Sequence, residues 1–124
     1  GFIRLGADMR HKKDIRKFSR NKSHRKSLLR NMAISFIQNK RIITTEAKAK
    51  QLKIVVEKLI TTGKTKDLAS IRKINAYLNH PETTAMVIEL GQKFKERNGG
   101  YIKIIKIGCR SGDASKMAVI QMVE

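Results

Sequence analysis

Ten of the twenty-two residues from Met9 to Arg30 are Lys or Arg, against a single acid, Asp14. The chemistry open to such a stretch is neutralisation of phosphate, because basic side chains displace condensed counterions from a polyanion and gain affinity without reading sequence. His11, Asn21, Ser23 and His24 are interleaved with the cations and supply neutral donors suited to phosphate and sugar oxygens. A second chemistry is acid/base cleavage of RNA, for which two histidines and a nearby lysine suffice in principle. Here no carboxylate is placed to orient His11 or His24, and His80 is expected simply to precede a helix. None of the three histidines has a second His or Cys at metal-ligand spacing, and the ten acids are scattered singly. No catalytic residue, metal site or cofactor is therefore expected. Gly99-Gly100 lacks the GxxxxGK[ST] and GxGxxG patterns and is followed by a strand pattern, so tight backbone geometry explains it better than a phosphate loop.

The charge sets the class of partner. A formal net charge of +18 on 124 residues calls for an anionic partner, either nucleic acid or an acidic membrane surface, and the longest apolar runs are far too short to span a bilayer. The first eight residues lack an apolar core and a small-residue cleavage site, so they do not read as a secretory signal. Cys109 is alone, which fits a reducing compartment and excludes a cysteine-rich zinc site. Length and composition predict one domain plus an arm. Residues 1–8 form an accessory extension with no assigned role, residues 9–22 a basic arm, and residues 23–124 a single globular domain. Ile15 and Phe18 are too few to bury a core, so the arm is expected to be mobile in the free protein and ordered only on its partner.

The elements that must position these groups can be read from periodicity. Ser23 is the expected N-cap of a first helix, in which Leu28, Leu29, Met32, Ala33, Phe36 and Ile37 form one apolar stripe ending near Asn39. Residues 41–45 are short and β-branched, a strand, and Thr45-Glu46 opens a second helix with Ala49, Leu52, Val55, Val56, Leu59 and Ile60 on its apolar side, stopped by Gly63. Asp67 or a nearby Thr caps a third helix with Leu68, Ile71, Ile74 and Leu78 on the buried side. Pro81 starts a fourth, with Met86, Val87 and Leu90 inward and Gly91 interrupting it. Residues 101–107 and 117–123 form a long antiparallel hairpin, whose connection is expected to project Arg110 and Lys116 on a flexible tip as a second contact to the polyanion.

Met-Arg-His-Lys-Lys at 9–13, Ser-His-Arg at 23–25 and Leu-Leu-Arg-Asn-Met at 28–32 resemble the bacterial large-subunit ribosomal protein L17 family. The resemblance continues through Thr44-Thr45, Lys48-Ala49-Lys50, Leu52, Gly99-Gly100-Tyr101, Gly108, Arg110, Gly112-Asp113 and Met117-Ala118, in the family's order and spacing. Two positions depart from it: residues 1–8 precede the usual initiator position, here Met9, and Ile15 stands where many members have glycine. The resemblance implies an α+β fold, four or so helices packed on a small, mainly antiparallel sheet of about three strands. It implies a non-enzymatic structural constituent of the large subunit, bound to ribosomal RNA near the nascent-chain tunnel exit beside other ribosomal proteins, in the cytoplasm or an organelle. No membrane or small-molecule partner is implied.

Carried over by position, the RNA-contacting set is Arg10, His11, Lys12, Arg16, Arg20, Ser23, His24, Arg25, Arg30 and Asn31. Lys13, Lys17 and Asn21 of the arm join it on charge and donor chemistry, and Arg110 and Lys116 join it from the hairpin. The competing classes are a free-standing nucleic-acid binder of nucleoid or RNA-chaperone type and a small basic ribonuclease.

Overall fold

Helix starts in this chain are set by side chains that satisfy otherwise orphaned N–H groups. The structure, a computed structural model, describes the backbone of residues 12–123 and the side chains of residues 23–123. Its elements run α1 (Lys12–Asn39), β1 (Arg41–Thr45), α2 (Glu46–Gly63), α3 (Leu68–Leu78), α4 (Pro81–Lys93), β2 (Ile102–Cys109) and β3 (Lys116–Met122). The Thr45 hydroxyl accepts from the Lys48 N–H at 3.4 Å, the Asp67 carboxylate from the Ser70 N–H at 2.8 Å, and His80 Nδ1 from the Thr83 N–H at 3.2 Å. Each is an extended residue at the head of a helix, the geometry an N-cap needs. Pro81 follows as the first residue of α4, where a missing N–H costs nothing. Asn79, left-handed at φ 51°, ends α3.

The three strands form one antiparallel sheet in the order β1-β3-β2, so the α+β expectation holds. Ile42 and Ile104 both pair with Ile120, and this row faces the helices with Ala118 beside it. The adjacent row, Ile43 and Ile105 on either side of Val119, falls on the outer side because side chains alternate along a strand. No described element covers that side, and Ile43 and Ile105 remain exposed there.

The core lies between the sheet and the helices. Helix α2 contributes Ala49, Leu52, Val56, Leu59 and Ile60, and α1 contributes Ala33, Phe36 and Ile37. Tyr101 is fully buried at the entry to β2, behind Gly99 and Gly100 at φ 87° and 66°. Those positive angles are what the Gly-Gly pair supplies. The Tyr101 ring lies 5.2 Å from Phe94, and its hydroxyl meets Thr61 Oγ1 at 3.2 Å and donates to the Arg97 carbonyl at 3.3 Å. Buried Thr84 is satisfied by Asn75 and by the His80 carbonyl, which ties α3 to α4.

Three expectations are corrected. Helix α1 begins at Lys12, so Ser23 lies inside it instead of capping it. Leu68 and Ile71 are exposed, because α3 enters the core only through Ile74 and Leu78 in its C-terminal half. Gly91 does not interrupt α4, which runs on to Lys93. Glycine is there because the helices cross: a Cβ on Gly91 would lie 2.4 Å from the Gly63 carbonyl carbon, and one on Gly63 would lie 2.9 Å from the Val87 oxygen. Gln92 donates from the same turn to the Gly63 and Lys64 carbonyls, satisfying the end of α2.

Gly91→Ala is therefore expected to destabilise the domain by about 1–3 kcal/mol despite alanine's better helix propensity, since backbone has to yield. Urea unfolding checks it, and a gain in stability contradicts the crossing. In the same assay Ile74→Ala should cost about 2–5 kcal/mol, and Leu68→Ala should change stability by no more than about 0.5 kcal/mol.

Candidate nucleic-acid interface

Helix α1 sorts the basic tract by face. At 3.6 residues per turn, positions 12, 13, 16, 17, 20, 23, 24, 30 and 31 fall within one arc of about 140°. Positions 29, 32, 33 and 36, which include buried Ala33 and Phe36, fall opposite. On the described part of that arc Ser23, His24 and Asn31 are exposed and Arg30 is half-buried. Arg10 and His11 lie outside the described residues, as do the side chains of Lys12, Lys13, Arg16, Lys17, Arg20 and Asn21.

Arg25 does not belong to the arc. With Lys26 it stands on the apolar side of α1, where the helix has run past the core and Leu28, Leu29 and Met32 are only half-buried. Those residues and the N-terminal half of α2 line an open groove of about 530 Å³, with Lys48 and Gln51 on the α2 wall. The sequence gives no hint of this groove, because the stripe that forms it has the same spacing as the stripe that forms the core.

The hairpin reaches the same end of the molecule. Thr45, which lines the groove, pairs with Met117, and the next pair along the hairpin is Cys109 with Lys116. A bulge at Ile107, followed by Gly108 at φ 96°, sits just before the connection. Arg110 and Lys116 are both exposed, as expected. The tip is not loose, however. Arg110 makes a two-pronged contact with Asp113, Nη2 to Oδ2 at 2.7 Å and Nε to Oδ1 at 3.2 Å, and Asp113 also accepts from the Ser115 N–H at 3.1 Å. Backbone bonds from Arg110 to Ser115 and from Ala114 to Arg110 close the loop. Lys116 is the first residue of β3, fixed in the ladder at the base of the tip. Sequence reasoning missed the ion pair, although an Arg three residues before an Asp in a Gly-containing loop was the available signal.

These groups can bind and orient a polyanion. His80 is occupied as a helix cap, with Nδ1 2.8 Å from the Thr83 hydroxyl. Among the described residues no cluster of His, Cys, Asp or Glu could hold a metal ion, and no helix is long and apolar enough to cross a membrane. Fold and site together define a small basic α+β protein that gathers cations on a long helix and a braced hairpin at one end of its domain.

Residues 28–123 match the family model described as Ribosomal protein L17. Similar proteins are the large ribosomal subunit protein bL17 of Campylobacter concisus, 50% identical over 93% of this chain and 98% of its own length, and that of Fusobacterium nucleatum, 46% identical over 93% and 100%. The bL17 protein of Desulfitobacterium hafniense is 45% identical over 87% of this chain and 97% of its own length. The chain belongs to the ribosomal protein L17 family, structural components of the ribosome and not enzymes.

The Arg110 guanidinium, and after it the Ser115 N–H, hold the Asp113 carboxyl well below its ordinary value of 3.8. A depressed carboxyl braces the loop above its ordinary pKa and lets go as pH falls through its folded value. Both partners are half exposed, so the effect should be local rather than global. A carboxyl-carbon NMR titration should show Asp113 still ionised at pH 3.5, and a midpoint near 3.8 would rule the brace out.

Proposed function

We propose that this chain is a structural constituent of the large ribosomal subunit that binds ribosomal RNA through its basic N-terminal arm, the polar arc of α1 and the hairpin tip. The observation that carries the reading is that arc, along which all the motif positions from Lys12 to Asn31 except Arg25 share one side of a helix whose other side enters the core. Along a helix the cations keep a regular spacing that phosphates of matching spacing can meet. Phosphate neutralisation then supplies most of the affinity, and RNA shape supplies the register. The braced tip adds Lys116, and Arg110 if its guanidinium exchanges or shares its carboxylate for a phosphate. The protein acts as a clamp near the nascent-chain tunnel exit, beside other large-subunit proteins, on ribosomes in the cytoplasm or in an organelle. The relatives' names support a place in the large subunit, and the tunnel exit is what the family resemblance implies.

Two measurements test the reading. Large subunits taken through a high-salt wash should retain the chain in one-to-one amount, and loss of the chain in the wash would favour a free-standing nucleic-acid binder. With about six to eight cations on phosphate, binding to large-subunit RNA should weaken with salt at a log-log slope of about −4 to −7. Removing residues 1–22 should lower that slope substantially, and an unchanged slope would place the phosphate contacts elsewhere.

A further inference from the structure

The groove between α1 and α2 combines two chemistries that the phosphate-binding arc does not. Its floor is aliphatic, made by Leu29, Met32, Ile54 and Val55, and Ile54 is 58% exposed, an apolar residue on the outer face of α2 that Ala47, Gln51 and Lys58 share. Its rim is cationic on the α1 wall, where Arg25 and Lys26 stand. Among the described residues that line it there is no acid. An aliphatic side chain from a protein neighbour would fit the floor, but a protein segment seated against that wall would also have to bring acids to match it. A nucleotide carries both properties in one unit, a flat weakly polar base and an anionic phosphate on either side of it.

We propose that this groove takes up one unpaired nucleobase of the bound RNA, flipped out of its stack, with the flanking phosphates held by Arg25 and Lys26. The inference rests on the RNA-binding reading above and adds a site and a ligand to it. A volume of about 530 Å³ lies within the roughly 300–1,000 Å³ typical of small-molecule sites and accommodates either size of base. Bases extruded from bulges and loops are recognised in this way, by contact of the base face with apolar side chains and by hydrogen bonds to its edge. Gln51 on the rim offers both a donor and acceptors to that edge. The site also accounts for Arg25 and Lys26, two cations on the apolar side of α1. On a helix end buried against the core they would be expensive, and at an open groove that receives a nucleotide they are complementary.

The test uses the full chain and four RNA hairpins of equal length, each carrying one of the four bases as a single-nucleotide bulge. A fully paired hairpin and one with an abasic bulge serve as references. At least one base bulge should bind about five-fold or more tightly than both references at the same salt. A 2-aminopurine in that bulge should brighten on binding as it leaves its stack. Ala47→Leu, at an exposed position on the groove wall in the first turn of α2, should abolish the preference and the brightening while affinity for the paired hairpin stays the same. A thermal melt confirms that this variant folds, and the comparison of bulged with abasic RNA on the unaltered chain stands without it. Equal, salt-sensitive binding of all hairpins overturns the base site and leaves RNA binding intact, whereas no binding at low salt overturns both. An Ala47→Leu chain that binds every RNA normally but is poorly incorporated into large subunits would assign the groove to a neighbouring protein.

Discussion

The burial of one helix, α2, holds the rest of the domain in place. Its apolar stripe meets the sheet on one side and α1, α3 and α4 on the others, and no other element touches as many partners. Leu52, Val56, Leu59 and Ile60 each remove a whole aliphatic side chain from water, worth about 1.5–3 kcal/mol apiece. The position of α4 on α2 is then fixed by backbone contact at Gly63 and Gly91, where neither helix tolerates a Cβ. Close approach of this kind leaves no slack for α4 to slide.

A packed centre with this much positive charge has to send its cations outward. Among the described residues the buried polar ones are two threonines, both hydrogen-bonded, and no lysine or arginine is buried with them. Helix α1 extends beyond the core and carries polar positions along one arc, while β1 and β3 bring the base of the hairpin to the α2 N-terminus. The result is a spatial concentration of charge from segments far apart in the chain, which raises the local attraction for a polyanion above what a uniform distribution gives. The outer row of the sheet, Ile43, Val119 and Ile105, is apolar by contrast.

The hairpin tip shows how a charged loop is kept in shape without a core. Arg110 and Asp113 are each about half exposed, and an isolated surface pair of that kind contributes little to global stability. Its effect lies in geometry. Together with the Ser115 N–H and the two backbone bonds it braces a loop that includes the left-handed Ala114 at φ 58°. A preformed loop loses less entropy when it meets its partner.

The sequence by itself determined the parts of this protein that depend on local chemistry and period. Thr45, Asp67 and His80-Pro81 mark helix starts because capping needs only a side chain within three residues, and all three stand where the structure puts them. The strand at Arg41–Thr45, the hairpin and most of the core followed from alternation and helical spacing, and the basic tract announced a polyanion by charge alone. Periodicity says which side of a helix is apolar, but it does not say how far along that side another element reaches. For that reason Leu68 and Ile71 on α3, and Leu28, Leu29 and Met32 on α1, read as core although only the ends nearer the centre are enclosed. Gly91 read as a helix stop because a missing side chain looks the same whether it serves chain flexibility or a neighbour's backbone. Only the crossing with Gly63 distinguishes the two. The groove and its nearness to the base of the hairpin also belong to tertiary structure, since they are made by surfaces of α1, α2 and the hairpin that no local rule brings together.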